Sequence, residues 1–260
     1  MSNYLKIATP ISHQFENELF AQEIIKVSDC LEVRERSMDS NWPNQILTHI
    51  DFDLTHEWDS QIKDYLRMVI KTKPQLKLIT LQATRCCHDE ELIDGIFQLK
   101  GKVYTREELV MYAKVNVDWL RSMMPSCIDI GLENNNYYPT QAYDIITDGD
   151  FITEVVEKNE LMFLFDIAHG MVTAHNKDIS YNEYLDTLPM HKAIQLHICQ
   201  PELVTGEIGR DAHDEPSEEM FLEVKKLIDE FPTINYLTIE YYKDKNILVD
   251  SINRLRRIIA

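Results

Sequence analysis

Glycine is scarce in this chain, only 7 in 260 residues, and none falls in a G-x-G-x-x-G turn or a P-loop. A doubly wound open sheet usually opens on such a phosphate turn, so the shortage weighs against that architecture. Positive charge is also short. Lys and Arg number 26 against 44 Asp and Glu, a formal net charge of −18. Nucleic-acid binding depends on clustered Lys and Arg, so that balance argues against a phosphate-backbone partner. It also disfavours anionic membrane surfaces and favours a basic peptide or protein. No stretch approaches the ~18 apolar residues of a membrane helix. The opening MSNYLKIATP lacks the charged and apolar regions of a signal peptide. The five cysteines (Cys30, Cys86, Cys87, Cys127, Cys199) are odd in number and form no C-x-x-C pair. That usage fits free thiols in a reducing compartment, and the expectation is a cytoplasmic protein. A G-x-S-x-G elbow and a catalytic-cysteine signature are missing too.

What the chain does have is a recurrence of short apolar runs. Strand-like segments appear at 4–10, 30–36, 46–52, 77–83, 127–133, 162–168, 193–199 and 236–242. Segments of helical periodicity lie between most of them. Residues 14–28 place Phe15, Leu19, Ile24 and Val27 on one stripe, and 105–124 opens on Thr105 and Glu108 as a capping box. Residues 217–231 and 246–259 repeat the pattern. Eight strands alternating with helices predict an α/β fold, a (β/α)8 TIM barrel, as a single domain over 1–260. Two stretches read as irregular, 84–104 and 201–216, and loops of that length are more often functional than idle.

Four of the runs close on a residue that binds metals: Glu133, Asp166 with His169 three residues on, His197 and Glu240. A carboxylate or imidazole ending a buried strand is costly unless something pairs with it. One such residue is usually a hydrogen-bonded structural group; four at intervals of 33, 31 and 43 residues point to successive strand ends meeting at the carboxyl mouth of a barrel. Three oxygens and one nitrogen suit Mn²⁺ or Fe²⁺ better than Cu⁺. A second set comprises His49, His169 and the D-x-H pair Asp211 and His213, with Glu133 able to bridge ions. Glu240 and Asp211 are the expected catalytic carboxylates, and Asn134 and Asn176 the expected substrate contacts, although Asn at a strand end is often a turn residue. His13, His56 and His191 read as surface or packing residues. His88 beside Cys86 and Cys87 matches no zinc spacing.

LENNNYY (132–138), FDIAHGMVTAHN (165–176), LPMHKAIQLHICQ (188–200), the D-x-H pair and TIEYY (238–242) together resemble the multinuclear non-heme iron-dependent oxidative enzymes, the family of the iron enzyme of methanobactin biosynthesis. The resemblance covers about half the chain. It implies a xylose-isomerase-like barrel holding two or three irons (Fe²⁺/Fe³⁺) with O₂ as co-substrate. It implies oxidative rearrangement of residues, often cysteine, in a ribosomally made precursor peptide presented by a small partner protein. By position, Glu133, Asp166, His197 and Glu240 match the family's strand-end ligands, His49 an early ligand His, and Asp211 and His213 its D-x-H pair. His169 falls where many members have Asn. Gln82 stands where members commonly have a further His, so either His88 substitutes from the loop or one metal position is weakened. Two rivals remain open on the residues alone: a divalent-metal sugar isomerase or epimerase using paired carboxylates, and a non-catalytic scaffold that binds a peptide.

Overall fold

A computed structural model of the chain describes residues 5–260. Eight strands alternate with helices: β1 (Lys6–Pro10), β2 (Cys30–Val33), β3 (Gln45–Asp53), β4 (Leu78–Gln82), β5 (Asp129–Glu133), β6 (Met162–Asp166), β7 (Ala193–Ile198) and β8 (Tyr236–Ile239). Each pairs in parallel with its sequence neighbours, and β1 pairs with β8 to close the barrel. The fold is a TIM barrel.

Alternation along the strands sorts the interior into tiers. On β2, β3 and β4, Cys30, Leu47 and Leu78 precede Glu32, His49 and Thr80 by two residues, so each pair shares a face. The earlier members join Ala8 and Ile194 in an apolar cluster; the later ones begin a polar tier. There Gln195 donates to Thr238 at 2.8 Å and also to Glu32, all three fully buried. The larger core lies outside the strands, under α2 (Ser60–Thr72), α3 (Arg106–Met123), α4 (Gly149–Lys158), α7 (Glu218–Glu230) and α8 (Lys245–Ile259). Caps fix where the helices start. Thr105 and Glu108 form the expected box, and Ser217 accepts from the Met220 N–H.

Several boundaries differ from the sequence expectation. Tyr4 of the first run lies outside the described residues. Segment 14–28 is a 3₁₀ turn (His13–Glu16) followed by α1 (Glu18–Val27), because Asn17 caps the Leu19 and Phe20 N–H groups. Leu19 is 69 % exposed, off the buried stripe. The β2–β3 connection carries only a 3₁₀ turn, Glu35–Ser37, in place of a helix. Stretch 201–216 is not irregular: Gln200–Glu202 pairs antiparallel with Arg210–Asp214. Within 84–104, Leu92–Ile93 pairs with Ile96–Phe97 around Gly95, whose φ of +78° favours glycine. Among the described residues, no helix is long and apolar enough to cross a membrane.

Candidate metal centre

The four strand-end residues meet. His197 sits beside Asp166 in the β6–β7 register and beside Thr238 in the β7–β8 register. Its Nδ1 faces Glu133 Oε1 at 3.0 Å, Glu240 Oε1 at 3.3 Å and Asp166 Oδ2 at 3.9 Å. All four are buried. Asp166 caps α5 (Ile167–Asn176), its Oδ1 accepting from the His169 N–H at 2.7 Å. That bond turns Oδ2 inward, where it has no hydrogen bond, and His197 Nδ1 has none either. Two unsatisfied buried ligand atoms within a set of carboxylate oxygens and imidazole nitrogen fit a divalent cation.

The second set surrounds the first. His169, in the first turn of α5, puts Nε2 at 3.5 Å from Asp211 Oδ2 and 3.9 Å from Asp166 Oδ2. The hairpin after β7 folds Asp211 and His213 back over the mouth. His213 Nδ1 lies 3.1 Å from Asp211 Oδ2 and its Nε2 3.3 Å from Glu240 Oε2. His213 holds φ of +45°, an unusual backbone state for a residue with a side chain. His49 Nε2 is 3.4 Å from Glu133 Oε2. It occupies the middle of β3, not its end, because pairing with β4 continues past a register break to Asp53.

The other ring nitrogen of each buried histidine is held. Glu32 Oε2 meets His197 Nε2 at 3.1 Å, Thr80 Oγ1 meets His49 Nδ1 at 2.9 Å, and the Asn134 carbonyl meets His169 Nδ1 at 2.8 Å. Such outer contacts fix a ring's tautomer and orientation, leaving the inward nitrogen free to bind. Glu32 was not among the sequence candidates. Nor was Arg34, whose Nη2 contacts Glu32 Oε1 at 2.6 Å and also Glu240 Oε1. The available signal was the C-L-E-V-R alternation of β2, which puts Glu32 on the face of Cys30.

The two expected substrate contacts, Asn134 and Asn176, are engaged within the protein. Asn134 is fully buried, its amide donating to the Asp166 carbonyl at 3.0 Å and accepting from the Asp166 N–H at 2.8 Å. Asn176 donates to the carbonyls of Tyr137 and Gly209 and accepts from the Gly209 N–H at 2.7 Å, tying the hairpin to α5. Neither amide is free for a ligand. His88 does not take the place beside His49; it is exposed and engages Asp89 at 2.7 Å. Gln82 fills that place, its Nε2 3.0 Å from His49 Nε2 and 2.9 Å from Glu133 Oε2.

Without a cation the cluster balances its charge with protons. Burial opposes ionisation of Glu133, yet His49 and His197 hold it well below the usual carboxylate range. Against burial, Glu32 and Glu133 lift His197 to about 9. Burial, helped by Asp211 and Glu133, pushes Asp166 up to about 6. Burial likewise drives His49 down to about 4, so its ring is neutral. Asp211, despite burial, is drawn down to about 2 by His169.

A cavity of about 910 Å³ opens over the cluster. His49, Gln82, Glu133, His169, Asp211, His213 and Glu240 line it, and its walls include Phe52, Trp58, Phe97 and Tyr104. That volume lies toward the upper end of the range for ligand clefts and has room for a peptide side chain with its flanking backbone.

Fold and site together define the class: a TIM barrel whose carboxyl mouth gathers imidazoles and carboxylates under one cavity. The chain belongs to the family described as RiPP precursor modification enzyme MbnB/TglH/ChrH, which matches residues 88–255. Members of that family modify ribosomally made precursor peptides. Among curated relatives, the UPF0276 protein VP3015 of Vibrio parahaemolyticus serotype O3:K6 is 28 % identical over 116 residues, 44 % of this chain and 39 % of that protein. A UPF0276 protein of Caulobacter vibrioides is 31 % identical over 85 residues, 33 % of this chain and 30 % of that one. The matches thus span well under half the length of these relatives. Among solved structures, the 3-keto-D-glucoside 4-epimerase YcjR of E. coli superposes with a TM-score of 0.62 at 12 % identity, covering 97 % of this chain and 99 % of that one. The D-psicose 3-epimerase of Clostridium cellulolyticum H10 gives 0.60 at 12 %, covering 98 % of each. Likeness at that identity speaks for the fold alone.

Proposed function

We propose that the chain is an iron-dependent oxidative enzyme that modifies a ribosomally made precursor peptide, with cysteine the target residue and a small partner protein presenting the peptide. The observation carrying this is the convergence of Glu133, Asp166 and Glu240 on His197 Nδ1, with His49, His169, Asp211 and His213 alongside, beneath a cavity with room for a peptide side chain. Glu133, Asp166, His197 and Glu240 would hold one ion, and His169, Asp211 and His213 a second. His49 with Glu133 forms a third, poorer position. Bound there, Fe²⁺/Fe³⁺ would supply the redox chemistry, with O₂ as the oxidant.

The chain's own residues do the rest. Glu32, Thr80 and the Asn134 carbonyl keep three imidazoles turned inward. The aromatic walls limit water around the target side chain. Asp211 and Glu240 both line the cavity beside His213, and we assign them the contact with the reacting group. Family membership supports the peptide, and the mixture of imidazole with carboxylate donors suits iron. A second reading, a divalent-metal sugar isomerase or epimerase, rests on the four-residue set alone. The D-x-H hairpin favours the first, because it adds ligands that a one-metal site does not need.

Anaerobic loading with Fe²⁺, followed by O₂ and a cysteine-bearing precursor peptide, tests the proposal. Oxygen uptake coupled to a mass change in the peptide is expected. One Mn²⁺ or Mg²⁺ per chain with sugar epimerisation and no oxygen uptake would replace it with the second reading.

A further inference from the structure

Glu32, His197 and Glu240 form a buried group whose ligand atoms all lie within 4.8 Å of one another. By residue type alone that group is a metal site. A cation already stands in it. Arg34, two residues beyond Glu32 on the same chain segment, reaches both carboxylates with one nitrogen, 2.6 Å from Glu32 Oε1 and in contact with Glu240 Oε1. Its side chain is largely covered, and its Nε makes no hydrogen bond. Glu32 is fully buried, and Arg34 is the permanent positive charge beside it. A guanidinium stays protonated at any pH the protein meets. The remaining Glu32 oxygen is spent on His197 Nε2 at 3.1 Å.

We propose that Arg34 is a resident cation which closes the Glu32–His197–Glu240 group to metal. The ions are then confined to the Nδ1 side of His197, among Glu133, Asp166 and Glu240, and to the His169, Asp211 and His213 set. Glu32 becomes a positioning residue that orients His197, and Glu240 keeps only its Oε2 side free of the guanidinium. The inference deepens the metal-centre proposal and rests on it.

The test is an ion count. The full chain, stripped by a chelator, is saturated with Mn²⁺ alone, freed of excess metal, and its bound ions per chain are measured by elemental analysis. Glu32→Gln is expected to keep the wild-type count at saturation, because no ion sits on Glu32 and the amide oxygen of the new side chain can still accept from His197 Nε2. Arg34→Met is expected to gain one ion per chain, and Arg34→Lys, which keeps the charge, to gain none. Adding Glu32→Gln to Arg34→Met should return the count to the wild-type value. Loss of an ion in Glu32→Gln would overturn the inference, and that arm does not depend on Arg34→Met folding. So would a folded Arg34→Met with the wild-type count. A wild-type chain that takes no Mn²⁺ would overturn the metal-centre proposal as well, which separates the two failures.

Discussion

His197 stands between two sets of acids, Glu32 on its Nε2 side and Glu133, Asp166 and Glu240 on its Nδ1 side. Metal and proton compete for that ring. His197 is lifted to about 9 in the metal-free chain, against burial, by Glu32 and Glu133. Asp166 is raised to about 6 by burial. Both must lose the proton to bind an ion. The sign follows: at about 9, His197 holds its proton at neutral pH, while Asp166 at about 6 has largely given its own up, so metal uptake releases the His197 proton and affinity climbs with pH. Calorimetric Mn²⁺ titrations in buffers of different ionisation enthalpy should show at least one proton released at neutral pH. Affinity should rise between about pH 6 and about pH 9. Uptake without proton release, or affinity that falls over that window, would contradict the assignment. At this scale Glu133, Asp166, His197 and Glu240 were legible as a converging set because each is a polar group near the close of an apolar run, which folding tolerates only with a partner. Glu32 was not, since an acid followed by Arg34 and Glu35 reads as a strand running out into solvent.

The elements that position these side chains are held by amides. Asn134 spends both ends of its side chain on the Asp166 backbone, and Asn176 spends both on Gly209 and Tyr137. Asn176→Ala removes two hydrogen bonds to Gly209 of the hairpin that carries Asp211 and His213, and a third to the Tyr137 carbonyl. Its expected cost is about 1–3 kcal/mol in unfolding free energy, with faster amide exchange across 203–214. Unchanged exchange there would mean that the hairpin is held by other contacts. This hairpin was hidden in the sequence because QPE and RDAHD lack the apolar alternation that marks a strand. The short β2–β3 connection was hidden for a related reason: spacing between two strands does not say whether a helix fills it. The helix starts were plain wherever a cap residue preceded a periodic run, as at Thr105 and Ser217.

Across the whole molecule, closure of the barrel brings residues 32 and 240 to one point, with β1 between β2, which holds Glu32, and β8, which Glu240 follows. An apolar tier beneath supports the polar one. Leu47→Ala, in the fully buried tier below His49, should cost about 2–5 kcal/mol by chemical denaturation while leaving the Mn²⁺ count unchanged. A lost ion would show that the tier does more than fill space. The architecture was legible from eight runs and the spacing between them, because strand and helix periods differ. Outer contacts such as Thr80 to His49 join residues 31 apart in the chain, and no local pattern encodes them. The central claim is that remote strand ends share cations. Anomalous diffraction at the iron edge, from crystals of the anaerobically iron-loaded chain, tests it most directly. The predicted result is an iron peak within bonding distance of His197 Nδ1, Glu133, Asp166 and Glu240, and none between Glu32 and Arg34. Iron found only elsewhere, or no peak within reach of those four side chains, would contradict it.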